Sequence, residues 1–379
     1  MAKDSCSAIL EKAYRAAEAR LQSAFVADAE LAGKVAFVAL CTSNRAGARF
    51  LLAATLAKMH KPAVDIRKPF IQAYPNDQKA DAYGGRNYDE QYVFPFITKH
   101  KLPCSSTIAF LTPAFRTKNI VLDLNQRLRG RPAELYQAIL EILDAIQSEK
   151  TAATVVLDEL VRLLIIEREE RQARLESLKK GLREQAGDLA LSSEETVRLI
   201  EQHLRLKHSS RLPVLVVAAA YRAASDNLGE KVLRLNAHTA ADRQTGALGD
   251  VEITLTGDTN VVTTYEMKDK LVTIADIDIA IQKVAEGTEI QNYIFVTTAP
   301  IDLAVQDYAN QQYRELGGVE IALLDCVGFL RHFLHLFHRL RTAFLDEYQE
   351  LVLSQPDSAV NQALKEAFLA LRRVAQAAE

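Results

Sequence analysis

Leu248 to Leu271 reads LGDVEITLTGDTNVVTTYEMKDKL, and the alternation inside it decides the fold. In the first arm Val251, Ile253 and Leu255 fall on one side, and Asp250, Glu252 and Thr254 on the other, the two-residue period of a strand. Thr256-Gly257-Asp258-Thr259-Asn260 is turn chemistry, supplied with residues that tolerate positive φ. The second arm, Val261 to Met267, is β-branched and aromatic. It sets Glu266 and Lys268 on one face and Tyr265 and Met267 on the other, so the stretch is expected to be a β-hairpin.

If the two polar faces coincide, Asp250, Glu266 and Lys268 converge at one end of the hairpin. Two carboxylates held close repel each other, and a hard divalent cation with oxygen ligands relieves that repulsion, which makes Mg²⁺ the expected occupant. A lysine beside such an ion holds or helps deprotonate an attacking water and offsets charge developing on a phosphate. A Glu-x-Lys triplet alone is common by chance, but Glu266-Met267-Lys268 is the one such triplet in the chain and ends a strand facing Asp250. Asp77-Gln78-Lys79 lies in a polar loop. The bland alternative is a solvated antiparallel pair with a charged outer face.

Asp250 followed by Glu266-Met267-Lys268 on the next strand, then a helix and an apolar strand, resembles the PD-(D/E)xK nuclease core of type II restriction endonucleases. Gly249 stands where that pattern has proline. RLNAHTAADRQTGALGDVEITL (234–255), with YGGRNYDE (83–90) and AFLTPAFR (109–116), is similar to the SacI-type restriction endonuclease family. The resemblance implies an α/β core sheet flanked by helices. It also implies Mg²⁺-dependent, site-specific hydrolysis of double-stranded DNA, with water attacking phosphorus in line and a 5′-phosphate product. Asp250, Glu266 and Lys268 would be catalytic, with Asp250 and Glu266 as metal ligands and Glu252 as an auxiliary acidic group. Related cores often draw a further ligand from the helix before the hairpin, which makes Glu230 a candidate. Two strands need two active sites, so a homodimer on a palindrome is expected, protected by a cognate DNA methyltransferase. The alternatives are a repair or modification-dependent nuclease with the same core, or a non-catalytic DNA-binding protein.

The chain has 379 residues, long enough for two or three domains, with 49% apolar and 25% charged residues. It contains no apolar run of membrane-spanning length and begins with an amphipathic helix lacking a signal-peptide pattern, so a cytoplasmic, non-membrane protein is expected. Cys6, Cys41, Cys104 and Cys326 form no CxxC pair, which suggests neither a zinc site nor a disulfide framework. The formal net charge of −3 excludes a generally basic nucleic-acid coat and leaves room only for a local positive field.

Four regions are expected: a mainly helical, possible recognition region over 1–132, a helical arm over 133–207, the nuclease core over 208–328 and C-terminal helices over 329–379. The first has helices over Ala8–Ala27 and Leu31–Met59, the second broken near Thr42-Ser43-Asn44, and an irregular, proline-punctuated stretch from Pro62 to Asn119. Arg86, Arg116 and the loop arginines Arg127, Arg129 and Arg131 are candidates for DNA contact. Helices over Leu135–Ile146 and Ala152–Leu178 follow, and Ser192 with Glu195 makes a capping box. The core opens with a helix over Pro213–Ala224. Beyond the hairpin come a helix over Ile274–Glu286, where Gln282 and Lys283 are candidates to face the cleft, a buried strand Asn292–Thr298, a helix Ala304–Leu316 and a strand Val319–Leu324. This alternation predicts an α/β sheet with crossovers. His238 lies in a polar loop before the hairpin. His332, His335 and His338 sit in a helix expected over Phe329–Leu345; at 3.6 residues per turn they do not share one face. No GxxxxGK[ST], GxGxxG or GxSxG motif is present, which argues against coupling to ATP.

Overall fold

The computed structural model describes residues 5–70, 80–105, 121–126, 132–184, 190–233, 235, 248–285 and 290–377. They fall into two compact units, Met1–Ala173 and Arg174–Glu379. The helical arm expected over 133–207 is thereby divided between the two.

The first unit is helical. Its main elements are α1 (Cys6–Ala19), α2 (Ala29–Leu40), α3 (Ala46–His60), α4 (Gly85–Tyr88), α5 (Phe94–Lys99), α6 (Ala133–Gln147) and the start of α7 (Ala153–Glu184). α3 is buried nearly all round, from Gly47 to Ala57, and forms the centre of the core. The break between α2 and α3 falls where Thr42-Ser43-Asn44 predicted it. Within the stretch expected to be irregular, the chain from Gly85 onward is continuous helix, because α4 runs through a π-helical turn (Asp89–Val93) into α5. Pro95 has no N–H to give to the turn before it, and the helix takes its π-turn directly ahead of that position, where Phe94 N–H bonds the Asp89 carbonyl. The π-turn turns the Asp89 carboxylate inward onto Arg49, with Nε–Oδ1 at 2.6 Å and Nη2–Oδ2 at 2.8 Å; neither side chain is more than 1% exposed.

The second unit is built on a sheet of β1 (Glu230–Val232), β2 (Val251–Leu255), β3 (Val261–Lys268), β4 (Asn292–Thr297) and β5 (Glu320–Asp325), in that spatial order. β1, β2 and β3 pair antiparallel, while β3, β4 and β5 pair parallel. Parallel pairing requires crossovers, supplied by α10 (Ile274–Ala285) and α11 (Leu303–Glu315). Preceding the sheet are α8 (Ser193–Leu204), with its capping box between Ser192 and Glu195, and α9 (Leu212–Leu228), which ends on Gly229 at φ 67°. One face of the sheet, through Val251, Ile253, Tyr265 and Val296, packs against α9 and the C-terminal helices. The opposite face, through Tyr293, Phe295, Ile321 and Leu323, packs against Ile277, Ala280 and Val284 of α10 and Val305 and Ala309 of α11. β1 was not expected; residues 230–232 pair with β2 although their sequence reads as a helix end.

The C-terminal helix expected over Phe329–Leu345 is broken at Phe337 (φ −108°, ψ 50°) into α12 (Cys326–Leu336), a 3₁₀ turn (His338–Leu340) and α13 (Arg341–Ser354), followed by α14 (Gln362–Ala377). The break sets Phe344 against Phe333, at 6.0 Å between ring centroids, while Phe337, one turn from Phe333, stands 5.2 Å from it. His335 reaches Glu194 at 3.0 Å, while His338 lies beyond the break.

His203 of α8 is fully buried between α13 and α14. Its Nε2–H donates to the Leu364 carbonyl at 3.0 Å, which leaves Nδ1 to accept from the Tyr348 hydroxyl at 3.0 Å. Burial pushes its pKa from 6.5 down to about 4, against the pull of the Leu364 carbonyl. The unfolded chain therefore takes up a proton through 6.5 while the folded protein stays neutral to about 4. This contribution to stability is complete above 6.5 and is lost as the pH falls towards 4, by on the order of 3 kcal/mol. Urea midpoints measured across this window should fall more steeply for the native chain than for His203→Gln; parallel profiles would refute the assignment.

Candidate active site

Gly257, at φ 94°, turns the chain between β2 and β3, and the Asp258 carboxylate accepts from the amides of Thr259 at 2.6 Å and Asn260 at 3.1 Å. The register sets Val251 opposite Tyr265 and Glu252 opposite Thr264, so the polar faces of the two arms coincide. Asp250, just before β2, continues the ladder through its amide to Tyr265 O at 2.8 Å. Its Oδ2 accepts from the amide of Met267 at 2.8 Å, which seats the aspartate on the middle residue of the Glu266-Met267-Lys268 triplet. Gly249 is there for want of space, since a Cβ would stand 2.6 Å from Thr264 Oγ1 and 2.7 Å from the Tyr265 carbonyl oxygen. Any side chain would push the segment carrying Asp250 off β3.

Glu266 is held by both of its oxygens. Oε1 meets Lys268 at 2.9 Å, and Oε2 meets Lys283 at 3.0 Å and accepts from the Tyr293 hydroxyl. Burial alone would push this carboxyl up; Tyr293 and the two ammonium groups outweigh it and hold the group below the usual carboxylate range. Lys268 bridges onward to Asp276 Oδ1 at 3.1 Å, and these two carboxylates overcome the effect of burial and raise its pKa. Asp276 is fixed in turn at the start of α10, where Oδ2 accepts from the amide and hydroxyl of Thr273 at 2.9 and 2.8 Å. On the other side of Asp250, the nearly buried Arg211 at the start of α9 approaches Oδ1 at 4.0 Å. Burial lowers the Arg211 pKa, an effect Asp250 partly offsets.

The fold thus brings Asp250, Glu266 and Lys268 to one end of the hairpin. Glu252 is on the same face, with its Oε1 accepting from the Leu248 amide at 2.9 Å. Glu230 is not brought there. It lies in β1 opposite Leu255, at the far end of β2, five residues and so roughly 17 Å along the strand from Asp250. The correction follows from β1: the expected helix end is a strand pairing with the turn end of the hairpin. Gln282 is exposed on α10, while its neighbour Lys283 points into the cluster. Arg86, in the first unit, is exposed and paired with Glu90 at 2.6 Å. Arg116, Arg127, Arg129, Arg131 and His238 lie outside the described residues.

Asp276, Tyr293 and Arg211 were not among the expected site residues. The Thr273-x-x-Asp276 spacing marks a helix start, and nothing in it points to Lys268. Tyr293 reads as core until the parallel register sets it on the face of Glu266. Arg211, a helix-start arginine, carries no motif.

Among the described residues no group of three or more His, Cys, Asp or Glu is disposed to hold a metal. Two carboxylates at one strand end fit the oxygen-ligand chemistry of a hard divalent cation, which need take only one or two protein carboxylates. Four carboxylates (Asp250, Glu252, Glu266, Asp276) against three cations (Lys268, Lys283, Arg211) leave one formal negative charge for a cation to meet. No helix among the described residues is long and apolar enough to cross a membrane. Residues 189–298, from α8 through the hairpin to the end of β4, match the family model of the SacI restriction endonuclease C-terminal domain. Comparison with the curated proteins gives no match.

Proposed function

We propose, from the match of residues 189–298 to the SacI restriction endonuclease C-terminal domain, that this chain is a site-specific, Mg²⁺-dependent endonuclease that hydrolyses phosphodiester bonds of double-stranded DNA. One observation carries the reading: the carboxylate of Asp250 is bonded to the Met267 amide, so the aspartate and the Glu-x-Lys triplet form one unit. Asp250 and Glu266 would hold the cation, which when bound would supply positive charge beside a phosphate and lower the pKa of water. Lys268, 28% exposed and oriented by Glu266 and Asp276, positions the attacking water and offsets charge as the P–O bond breaks.

Two such sites are needed for two strands, which supports a homodimer on a palindromic site, with a cognate methyltransferase protecting host DNA. Arg86 and Gln282 are candidates for DNA contact by exposure and chemistry. Incubation with a phage genome and Mg²⁺, followed by mapping of fragment ends, tests the proposal. Discrete fragments with a shared end sequence are expected. A smear would point to nonspecific cleavage, cutting confined to methylated DNA to a modification-dependent enzyme, and intact DNA to a binding protein.

A further inference from the structure

The Lys283 ammonium has three donors, and the structure gives each an acceptor. They are Glu266 Oε2 at 3.0 Å, the Leu248 carbonyl at 3.3 Å and the Tyr293 hydroxyl oxygen at 3.3 Å. The single Tyr293 hydroxyl proton goes to Glu266 Oε2, and its oxygen also lies 3.2 Å from the Leu248 carbonyl. Leu248 is two residues before Asp250, and its amide is held by Glu252. The peptide that leads into Asp250 is therefore clamped on both sides, and one of the clamping groups is the ammonium that also holds Glu266. Tyr293 is fully buried and rests on Phe295 at 5.3 Å between centroids, so its hydroxyl has a fixed position.

We propose that Tyr293 and Lys283 are positioning residues that set the distance between the carboxylates of Asp250 and Glu266, and with it the affinity of the pair for a divalent cation. The inference rests on the reading of Asp250 and Glu266 as the cation's ligands. Tyr293 and Lys283 act through Glu266 Oε2 and the Leu248 carbonyl, leaving Oε1 on the side of Lys268. Loss of the hydroxyl leaves Glu266 Oε2 held by Lys283 alone, without altering the charge of the site.

The test is calorimetric titration of the full-length protein with Mn²⁺ in the absence of DNA. Tyr293→Phe is expected to bind Mn²⁺ about tenfold more weakly than the native chain, the usual size of an outer-sphere effect, with an unchanged melting midpoint. Cleavage by that variant is expected to recover at saturating Mn²⁺, because the ligands themselves remain. Lys283→Arg keeps the charge but cannot place one point donor on three acceptors; it is expected to weaken Mn²⁺ binding too, and it carries the test if Tyr293→Phe fails to fold. Glu266→Gln is expected to lose Mn²⁺ binding. If Glu266→Gln binds Mn²⁺ as the native chain does, the ligand assignment falls and this inference with it. If Glu266→Gln loses binding while Tyr293→Phe, or Lys283→Arg in its place, keeps native affinity, the positioning role alone is overturned.

Discussion

Replacing Lys268 by alanine is expected to slow DNA cleavage by about 10³-fold or more, while duplex affinity stays within about threefold. Lys268 carries one charge of the many that a duplex-binding surface needs, so its loss barely alters binding. On the proposed mechanism it has no substitute at the reacting phosphate, since Lys283 is already committed to Glu266 Oε2, Leu248 and Tyr293. Removing the ammonium also leaves Glu266 Oε1 and Asp276 Oδ1 facing one another without the cation that bridges them. The variant should therefore bind divalent ions at least as tightly as the native chain. Single-turnover rates at saturating protein, with gel-shift affinities measured in Ca²⁺, separate the two quantities. Native cleavage by Lys268→Ala would remove the lysine from the chemistry.

The largest effect on stability is expected in the first unit. Asp89→Ala removes one half of a buried, two-bond ion pair and leaves the Arg49 guanidinium, 1% exposed, with the Ser105 carbonyl at 2.9 Å and the Phe94 ring at 5.0 Å. Stranding a buried charge costs about 3–5 kcal/mol, whereas replacing both partners with apolar residues of similar volume is often neutral. Arg49→Met with Asp89→Leu should accordingly be more stable than Asp89→Ala alone, measured as urea midpoints. A single variant that melts like the native chain would show that the pair contributes little. The YGGRNYDE stretch is in this respect an architectural motif: its aspartate holds α3 against the π-turn, while Arg86 remains at the surface.

Much of this was legible in the chain because it rests on local periodicity. The hairpin follows from two-residue alternation and a glycine turn, the α8 start from Ser192 and Glu195, and the β4 and β5 strands from short apolar runs bounded by polar residues. The site triad was legible for the same reason, since a fixed two-residue period puts Glu266 and Lys268 on one face whatever surrounds them. Misreadings came where pairing or packing overrode local pattern. Residues 230–232 became a strand because β2 offered an open edge, and that took Glu230 away from the site. The helix ended at Phe337, and across that break Phe344 packs back on Phe333.

By itself, then, the sequence determined the hairpin, the shared face of Glu266 and Lys268, and the mixed α/β order of elements, all of which follow from patterns within short stretches of chain. The tertiary structure alone decided that Gly249 must be glycine, that Asp250 bonds the Met267 amide, and that Asp276, Tyr293 and Arg211 join Lys283 around the pair. Those four side chains arrive from α10, β4 and the start of α9, and their meeting depends on strand register and crossover geometry, in which partners up to tens of residues apart in the chain are set side by side.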